Sequence, residues 1–280
     1  MYRALSRSAA DWGLEICRPA PDFGVVFDEV LGAGATSRVF LATYRQKPAA
    51  NADSDEDEHV VCKVFRYPQV YQREKEMLEY LCGKVNTCVK VGESDTHMQL
   101  LLAPHAFPLR ATDLKSRALA TQLLQAVNEL HYADVIHCDL RPENVLICEE
   151  SRKLKVLLID FGSAVHSKAG EFCGMYTGTV RYASPEILRQ LSTSGHDNVR
   201  ISKTDDLQSL IRVFFMWINP GAIPLLNQIR NDEYENVQKF WETHLSSPPW
   251  NVFSRDGDQH TDHMKKLLGL IKTIFADFRQ

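Results

Sequence analysis

Long apolar runs are missing from this 280-residue chain. Nothing in it approaches the ~20 consecutive apolar residues that a helix needs to cross a bilayer, so no membrane span is expected. Paired cysteines are missing too. The seven cysteines are scattered, form no C-x-x-C pair and cannot make an even framework. Reduced thiols, and hence a cytoplasmic or nuclear location, are expected. Charge of one sign is not in excess: a net −4 offers no footprint for nucleic acid or for a membrane surface. Residues 1–10 hold two arginines but no apolar core, which excludes a secretory signal from the expectation. No repeat recurs along the chain. A content of 44% hydrophobic and 24% charged residues is that of an ordinary globular protein. The length fits one large domain or two lobes sharing a hinge.

What is present is concentrated in one stretch, Val135-Ile136-His137-Cys138-Asp139-Leu140-Arg141-Pro142-Glu143-Asn144-Val145-Leu146-Ile147. It reads as a buried β-type run, a polar turn, and a second buried run. The turn holds an aspartate, an arginine and an asparagine within six residues. Shortly after comes Leu157-Leu158-Ile159-Asp160-Phe161-Gly162, a strand that delivers a second aspartate to a glycine turn. Two carboxylates, an amide and a cation at strand ends suit a site that holds Mg²⁺ and phosphates. The combined pattern, H-x-D-L-x-P-E-N-x-L followed by D-F-G, resembles the catalytic loop and metal-binding turn of the protein kinase family.

Upstream, Val25 to Leu31 is β-rich and feeds Leu31-Gly32-Ala33-Gly34-Ala35-Thr36-Ser37-Arg38-Val39. Glycines between two strands let backbone N–H groups approach phosphate oxygens with no Cβ in the way. The stretch is similar to the kinase glycine-rich loop, with Ser37 standing where the third glycine would be. Val60-Val61-Cys62-Lys63-Val64-Phe65 is an apolar strand with one lysine, which is costly unless its ammonium meets a counter-charge. Glu74, on a helical run over residues 72–81, is the expected partner, with Glu76 as runner-up. The short link from Lys63 implies a helix that has lost a preceding turn. Between these parts, residues 51–59 carry Asp53, Asp55, Glu56, Asp57 and Glu58 and read as a solvated loop; Ser54 among them suits an acid-directed kinase. Two strands are expected over residues 88–91 and 98–102, with a turn at Gly92 to Asp95.

Downstream, residues 113–132 form the clearest helix, with Leu119, Leu123, Val127 and Leu130 as its apolar stripe. Residues 163–177 are small and polar, suiting a mobile activation segment. Thr177-Gly178-Thr179-Val180-Arg181-Tyr182-Ala183-Ser184-Pro185-Glu186 resembles the family's G-T-x-x-Y-x-A-P-E, with Ser184 in place of alanine. Lys203-Thr204-Asp205-Asp206-Leu207-Gln208-Ser209-Leu210 looks like the start of the buried helix whose aspartate braces the catalytic loop. The wording of these two stretches leans towards the casein kinase I branch. The resemblance covers about residues 25–212 and fades from Asn219 onward. No arginine in its usual setting is found for Glu186; Arg230, Arg255 and Arg279 are candidates. Leu267, Ile271, Ile274 and Phe278 mark an amphipathic tail helix. His260 and His263 have metal-ligand spacing but read as solvated.

The resemblance implies an α+β, two-lobed protein-kinase-like fold. Residues 1–22 would be a leader, 23–102 a β-rich N-lobe and 103–280 a mostly helical C-lobe. It implies transfer of the γ-phosphate of ATP to serine or threonine of a protein substrate. Asp139 would orient the hydroxyl and accept its proton, while Asn144 and Asp160 would hold Mg²⁺. Lys63, paired with Glu74, would fix the α/β-phosphates, and Arg141, replacing the usual lysine, would keep a cation near the γ-phosphate. Gly32, Gly34, Ser37, Val39, Val61, Leu102 and Leu146 would line the nucleotide. His137 and Phe161 would pack beneath the metal turn. Two readings compete. A pseudokinase is favoured by the missing third glycine and by Cys138 in place of arginine before Asp139. A small-molecule kinase of the aminoglycoside or choline type shares H-x-D…N, but lacks the platform spelled by Gly178 to Glu186.

Overall fold

The computed structural model describes residues 24–45, 58–85, 87, 89–108, 117–150, 152–252 and 260–274. The leader, residues 51–57 of the acidic stretch with Ser54, the expected start of the helix at Asp113, and Arg255, Phe278 and Arg279 lie outside these residues; Glu58 and His59, expected in the loop, are instead the first residues of a strand. The described chain divides into two compact units. The first takes residues 1–79 and 88–105; the second takes 80–87 and 106–280.

The first unit is a five-stranded antiparallel sheet of order β1-β2-β3-β5-β4 and one helix. Its strands are β1 (Gly24–Ala33), β2 (Ser37–Arg45), β3 (Glu58–Phe65), β4 (Val89–Ser94) and β5 (Gln99–Ala103). Alternation sorts the side chains. Ala42, Val60, Cys62, Val64 and Leu101 form an apolar cluster with Phe27 and Phe40. Val39, Val61, Lys63 and Leu102 therefore share the opposite face, with Val39 beside Lys63 and Val61 beside Leu102 in the register. Helix α1 (Pro68–Leu81) starts four residues earlier than its periodic run suggested, because the carbonyl of Tyr67 receives the first amides, Val70 and Tyr71. A proline at the first helical position has no N–H to waste.

The turn expected at Gly92 to Asp95 is displaced. Gly92 lies in β4, at an irregularity where Lys90 and Gly92 face Leu102 and Leu101. A Cβ there would come within 3.0 Å of Leu101 Cδ1, so the glycine serves close strand contact, as at a bulge. The chain turns instead over Asp95 to Met98, where Met98 takes φ +50°.

The second unit is mostly helical: α2 (Arg117–Tyr132), α3 (Pro185–Ser194), α4 (Lys203–Ile218), α5 (Ile223–Asn227), α6 (Tyr234–Leu245) and α7 (His260–Ile274). The stripe of Leu119, Leu123, Val127 and Leu130 is fully buried. Helix α4 is apolar nearly all round because it is enclosed: Leu207 and Leu210 to Trp217 are all buried. Among the described residues no single helix is long and apolar enough to cross a membrane. His263, expected to be solvated, is buried instead, with Nδ1 facing the Thr204 hydroxyl.

Three small antiparallel sheets complete the unit. Strands β6 (Phe107–Pro108), β8 (Val145–Glu150) and β9 (Lys153–Leu158) form one, and β7 (Val135–Ile136) pairs with β10 (Val165–His166). The third pairs β11 (Glu171–Gly174) with β12 (Val199–Ser202). The third places residues 171–174 of the small, polar stretch 163–177 in a ladder. Small polar residues gave no strand signal, but β12 supplies a ladder from far along the chain, and Arg200 forks onto Glu171 at 2.6 and 2.7 Å.

Candidate active site

In the first unit, strand β3 points Lys63 at helix α1. Its Nζ lies 2.7 Å from both carboxylate oxygens of Glu74. Both side chains are buried, 7% and 2% exposed. A buried ion pair costs desolvation that its attraction roughly repays, so it is weak as a source of stability. Glu76, the runner-up, accepts from Gln72 on the helix surface instead. Around this pair α1 is tied to β4 and to the β4–β5 turn. Tyr71 Oη donates to Asp95 at 2.5 Å, and Lys75 reaches Asp95 at 2.8 Å and Glu93 at 2.9 Å. Lys90 bridges Glu79 and Glu93.

At the strand end, Gly32 faces Val39 and the turn closes by Gly34 N–H donating to the Ser37 carbonyl at 2.9 Å. A Cβ on Gly32 would meet nothing within 4 Å, and one on Gly34 only the Ser37 carbonyl at 3.8 Å. Neither glycine has a positive φ. The local fold therefore does not require glycine at either place. Leu102 lies next to Ala103 at the end of β5.

The second unit builds its part on the loop between β7 and β8. Asp206, at the start of α4, accepts from the backbone N–H of His137 at 2.7 Å and of Cys138 at 3.0 Å. It also faces His131 Nε2 at 3.0 Å. This is the bracing aspartate expected from the sequence. Cys138 sits at φ +64°, an uncommon conformation for a residue with a side chain, and it aims Asp139. One Asp139 oxygen accepts the Thr179 N–H at 2.8 Å; the other accepts Asn144 Nδ2 at 3.1 Å. Arg141 Nε is 3.6 Å from that second oxygen. Asn144 Nδ2 also donates to the Asp139 carbonyl at 2.8 Å.

Asp160 takes φ +64° and ψ +71° ahead of the turn Phe161–Ser163. The Asn144 carbonyl accepts the Ile159 N–H at 3.1 Å, so the backbone ties this turn to the loop between β7 and β8. Phe161 is fully buried with its ring 5.1 Å from that of His137. His137 Nε2 faces the Ile159 carbonyl and Nδ1 receives the Asp139 N–H, which assigns the neutral Nε2–H tautomer. The pair packs, as expected. Leu146, in β8 opposite Leu157 and Pro108, belongs to this unit.

The platform beyond holds what sequence reasoning missed. Tyr176 is 3% exposed and its hydroxyl donates to the Cys138 carbonyl at 3.3 Å. Ser184 caps α3, accepting from Ile187 N–H at 3.1 Å, and donates to Asp205 of α4. Asp205 in turn accepts from the Ser202 backbone and hydroxyl at 2.7 and 2.8 Å. Its burial raises the carboxyl pKa, against the pull of the Ser184 and Ser202 bonds. Among the described residues, Glu186 pairs with Arg189 on the surface, 2.6 Å away, and the candidate Arg230 pairs with Asp232; the candidates Arg255 and Arg279 lie outside the described residues. The buried arginine of the region is Arg212, packed on Trp241 at 5.3 Å and pushed down to about 10 by burial.

Residues 25–272 match the family model for the protein kinase domain. The chain belongs to the protein kinase domain family. The match runs well past residue 212, where the motif resemblance faded, so the divergent helices α5 to α7 are part of the kinase domain. Serine/threonine-protein kinase 17A of Oryctolagus cuniculus is 27% identical over 208 residues, 73% of this chain and 46% of that protein. Serine/threonine-protein kinase dkf-2 of Caenorhabditis briggsae is 28% identical over 148 residues, 52% of this chain and 11% of that protein. Serine/threonine-protein kinase D3 of Mus musculus is 39% identical over 74 residues, 26% of this chain and 8% of that protein. The chain thus spans less than half the length of each of these relatives. The lean towards the casein kinase I branch finds no support among them.

Proposed function

We propose that this kinase domain transfers the γ-phosphate of ATP to serine or threonine hydroxyls of a protein substrate. The observation that carries the reading is the Lys63–Glu74 pair, formed through two 2.7 Å contacts in a buried setting. A buried pair that stability hardly rewards supports a role in holding nucleotide phosphates.

Phosphoryl transfer asks a protein for alignment and charge compensation more than for covalent help. Asn144 and Asp160 fit a hard divalent cation: both offer oxygen, and the Asn144 amide hydrogens are already engaged by Asp139, which leaves Oδ1 for the ion. Asn144 and Asp160 would hold the ion, and its charge would offset that of the nucleotide phosphates. Lys63 binds the α/β-phosphates. Asp139, with its oxygens oriented by Thr179 and Asn144, receives the substrate hydroxyl and takes its proton. Arg141 supplies a fixed cation beside it. Gly32, Gly34 and Ser37 present backbone to the phosphates, and Val39, Val61, Leu102 and Leu146 pack on the base. The lobe limits 23–102 and 103–280 and a cytoplasmic or nuclear location belong to this proposal.

The test is thermal shift with Mg-ATP, followed by γ-phosphate transfer to peptides with serine, threonine or tyrosine acceptors. Stabilisation by Mg-ATP with transfer to serine or threonine is expected. Stabilisation without transfer would favour the pseudokinase reading, and transfer mainly to tyrosine would overturn the acceptor class.

A further inference from the structure

Cys138 is gripped through both of its backbone groups. On one side Asp206 accepts the Cys138 N–H. On the other, the Cys138 carbonyl accepts the Tyr176 hydroxyl at 3.3 Å and lies so close to Gly178 that a Cβ there would be 1.9 Å from it. One residue further, the Thr179 N–H donates to Asp139 itself. Residues 176–179 therefore wrap the catalytic aspartate by a hydroxyl, a bare Cα and an amide, none of them charged. Cys138 brings no cation to this place, and its Sγ faces the Ile136 carbonyl at 3.5 Å.

We infer that Tyr176 is a positioning residue for Asp139, and that its hydroxyl seats the activation segment on the catalytic loop without any phosphate. The inference rests on the kinase reading above and names how that site is held. An activation-segment phosphate acts by meeting arginine with charge-assisted bonds. Here the corresponding link is made by a neutral phenol against a backbone carbonyl. Tyr176 is held at its own backbone as well: its N–H donates to the His196 carbonyl at 3.0 Å, and its carbonyl faces His196 Nδ1 at 3.0 Å. Burial raises the phenol well above its ordinary pKa, so the hydroxyl stays protonated and remains a donor. The same burial shields Tyr176 from kinases, whereas neighbouring Thr177 is exposed. The β11–β12 ladder and the Arg200–Glu171 fork hold the segment upstream.

Tyr176→Phe keeps the ring and removes the donor. The expected result is a fall of tenfold or more in kcat with the Michaelis constant for ATP within twofold of wild type. Hydrogen exchange of the Thr179 amide should speed by a similar factor. Thr177→Ala and phosphatase treatment of the wild type should change neither readout. Exchange is read on the protein alone, so it stands even if the chain transfers no phosphate, and that outcome would count against the kinase reading only. The inference is overturned if Tyr176→Phe matches wild type in Thr179 exchange. It is overturned equally if phosphatase treatment slows wild-type turnover tenfold and rephosphorylation restores it.

Discussion

The two units hold their functional groups by different means. In the first, Lys63 and Glu74 meet as full charges, and the helix that carries Glu74 is tied down by more charges: Lys75, Lys90, Glu79, Glu93 and Asp95. In the second, Asp139 is aimed by backbone amides, an asparagine and, one peptide away, a phenol, with Arg141 as its only nearby cation among the described residues. Charge–charge holding responds to salt and to pH. Holding by amides and hydroxyls does neither over the physiological range, and it fixes direction more tightly because each donor has a preferred line of approach. In the proposed reaction, nucleotide engagement through Lys63 should therefore be the adjustable half, and hydroxyl activation at Asp139 the fixed half.

The sharpest break comes at the fixed half. Asp139→Asn and Asp160→Asn should each abolish transfer while leaving the fold intact, since a positioned general base alone is worth ~10²–10⁴-fold. Thermal shift separates them: Asp160→Asn should lose Mg²⁺-dependent stabilisation by ATP, and Asp139→Asn should keep it. If both variants bind Mg-ATP like wild type, the metal role of Asp160 is wrong.

Next in size is removal of one partner of the buried pair. Glu74→Ala leaves an uncompensated buried ammonium, a change that typically costs about 3–5 kcal/mol. The double variant Lys63→Met, Glu74→Leu should recover most of that stability without recovering activity. Equal stability of the single and double variants, measured by denaturant unfolding, would show that Lys63 finds another partner.

Replacing the brace should cost less. The His137 and Cys138 amides bond different oxygens of Asp206, so Asp206→Asn keeps an acceptor for only one of them and turns an NH2 group against the other. A buried donor left unpaired costs roughly 1–3 kcal/mol. Unfolding at unchanged m-value should show that loss, and turnover should fall with it. Wild-type turnover in a destabilised protein would detach the brace from the aim of Asp139.

The smallest effect belongs to the exposed charges around α1. Lys90 and then Lys75 hold Glu93 below its ordinary pKa, and Lys75 with the Tyr71 hydroxyl does the same for Asp95. Carboxylates depressed in the folded state add stability that is present above their ordinary pKa and lost as pH falls through the depressed values. Lys75→Met should flatten that acid limb of the stability curve and reduce its salt dependence, with only a small change in melting temperature at neutral pH. An unchanged acid limb would mean the ion pairs contribute nothing.

How much of this could be read from the sequence follows the distance over which each feature is made. Asp139, Asn144 and Asp160 stand within one local pattern, and Lys63 announces itself as a charge in an apolar strand. The helix beginning at Lys203 showed its acids beside a buried run, so the brace was legible although it acts across 69 residues. Gly92 misled because glycine punctuates turns more often than it relieves a crowded strand. Tyr176 was illegible: an aromatic among small polar residues reads as exposed, and its burial depends on a carbonyl 38 residues away. Glu186 meets Arg189 one turn along the same helix, a local pair that a search for a late arginine passes over.

Ser184 has a further consequence. Its hydroxyl closes the first turn of α3 and, through Asp205, reaches the first turn of α4, so a single oxygen joins the nucleation sites of two helices. Helix initiation is the costly step in forming a helix. Two starts that share one group should therefore form and melt together, as one cooperative unit containing both the end of the substrate platform and the central helix of the domain. An alanine at this position, the residue more usual in the family, can cap nothing and bridge nothing. In this chain the platform and the buried helix are coupled in folding as well as in space.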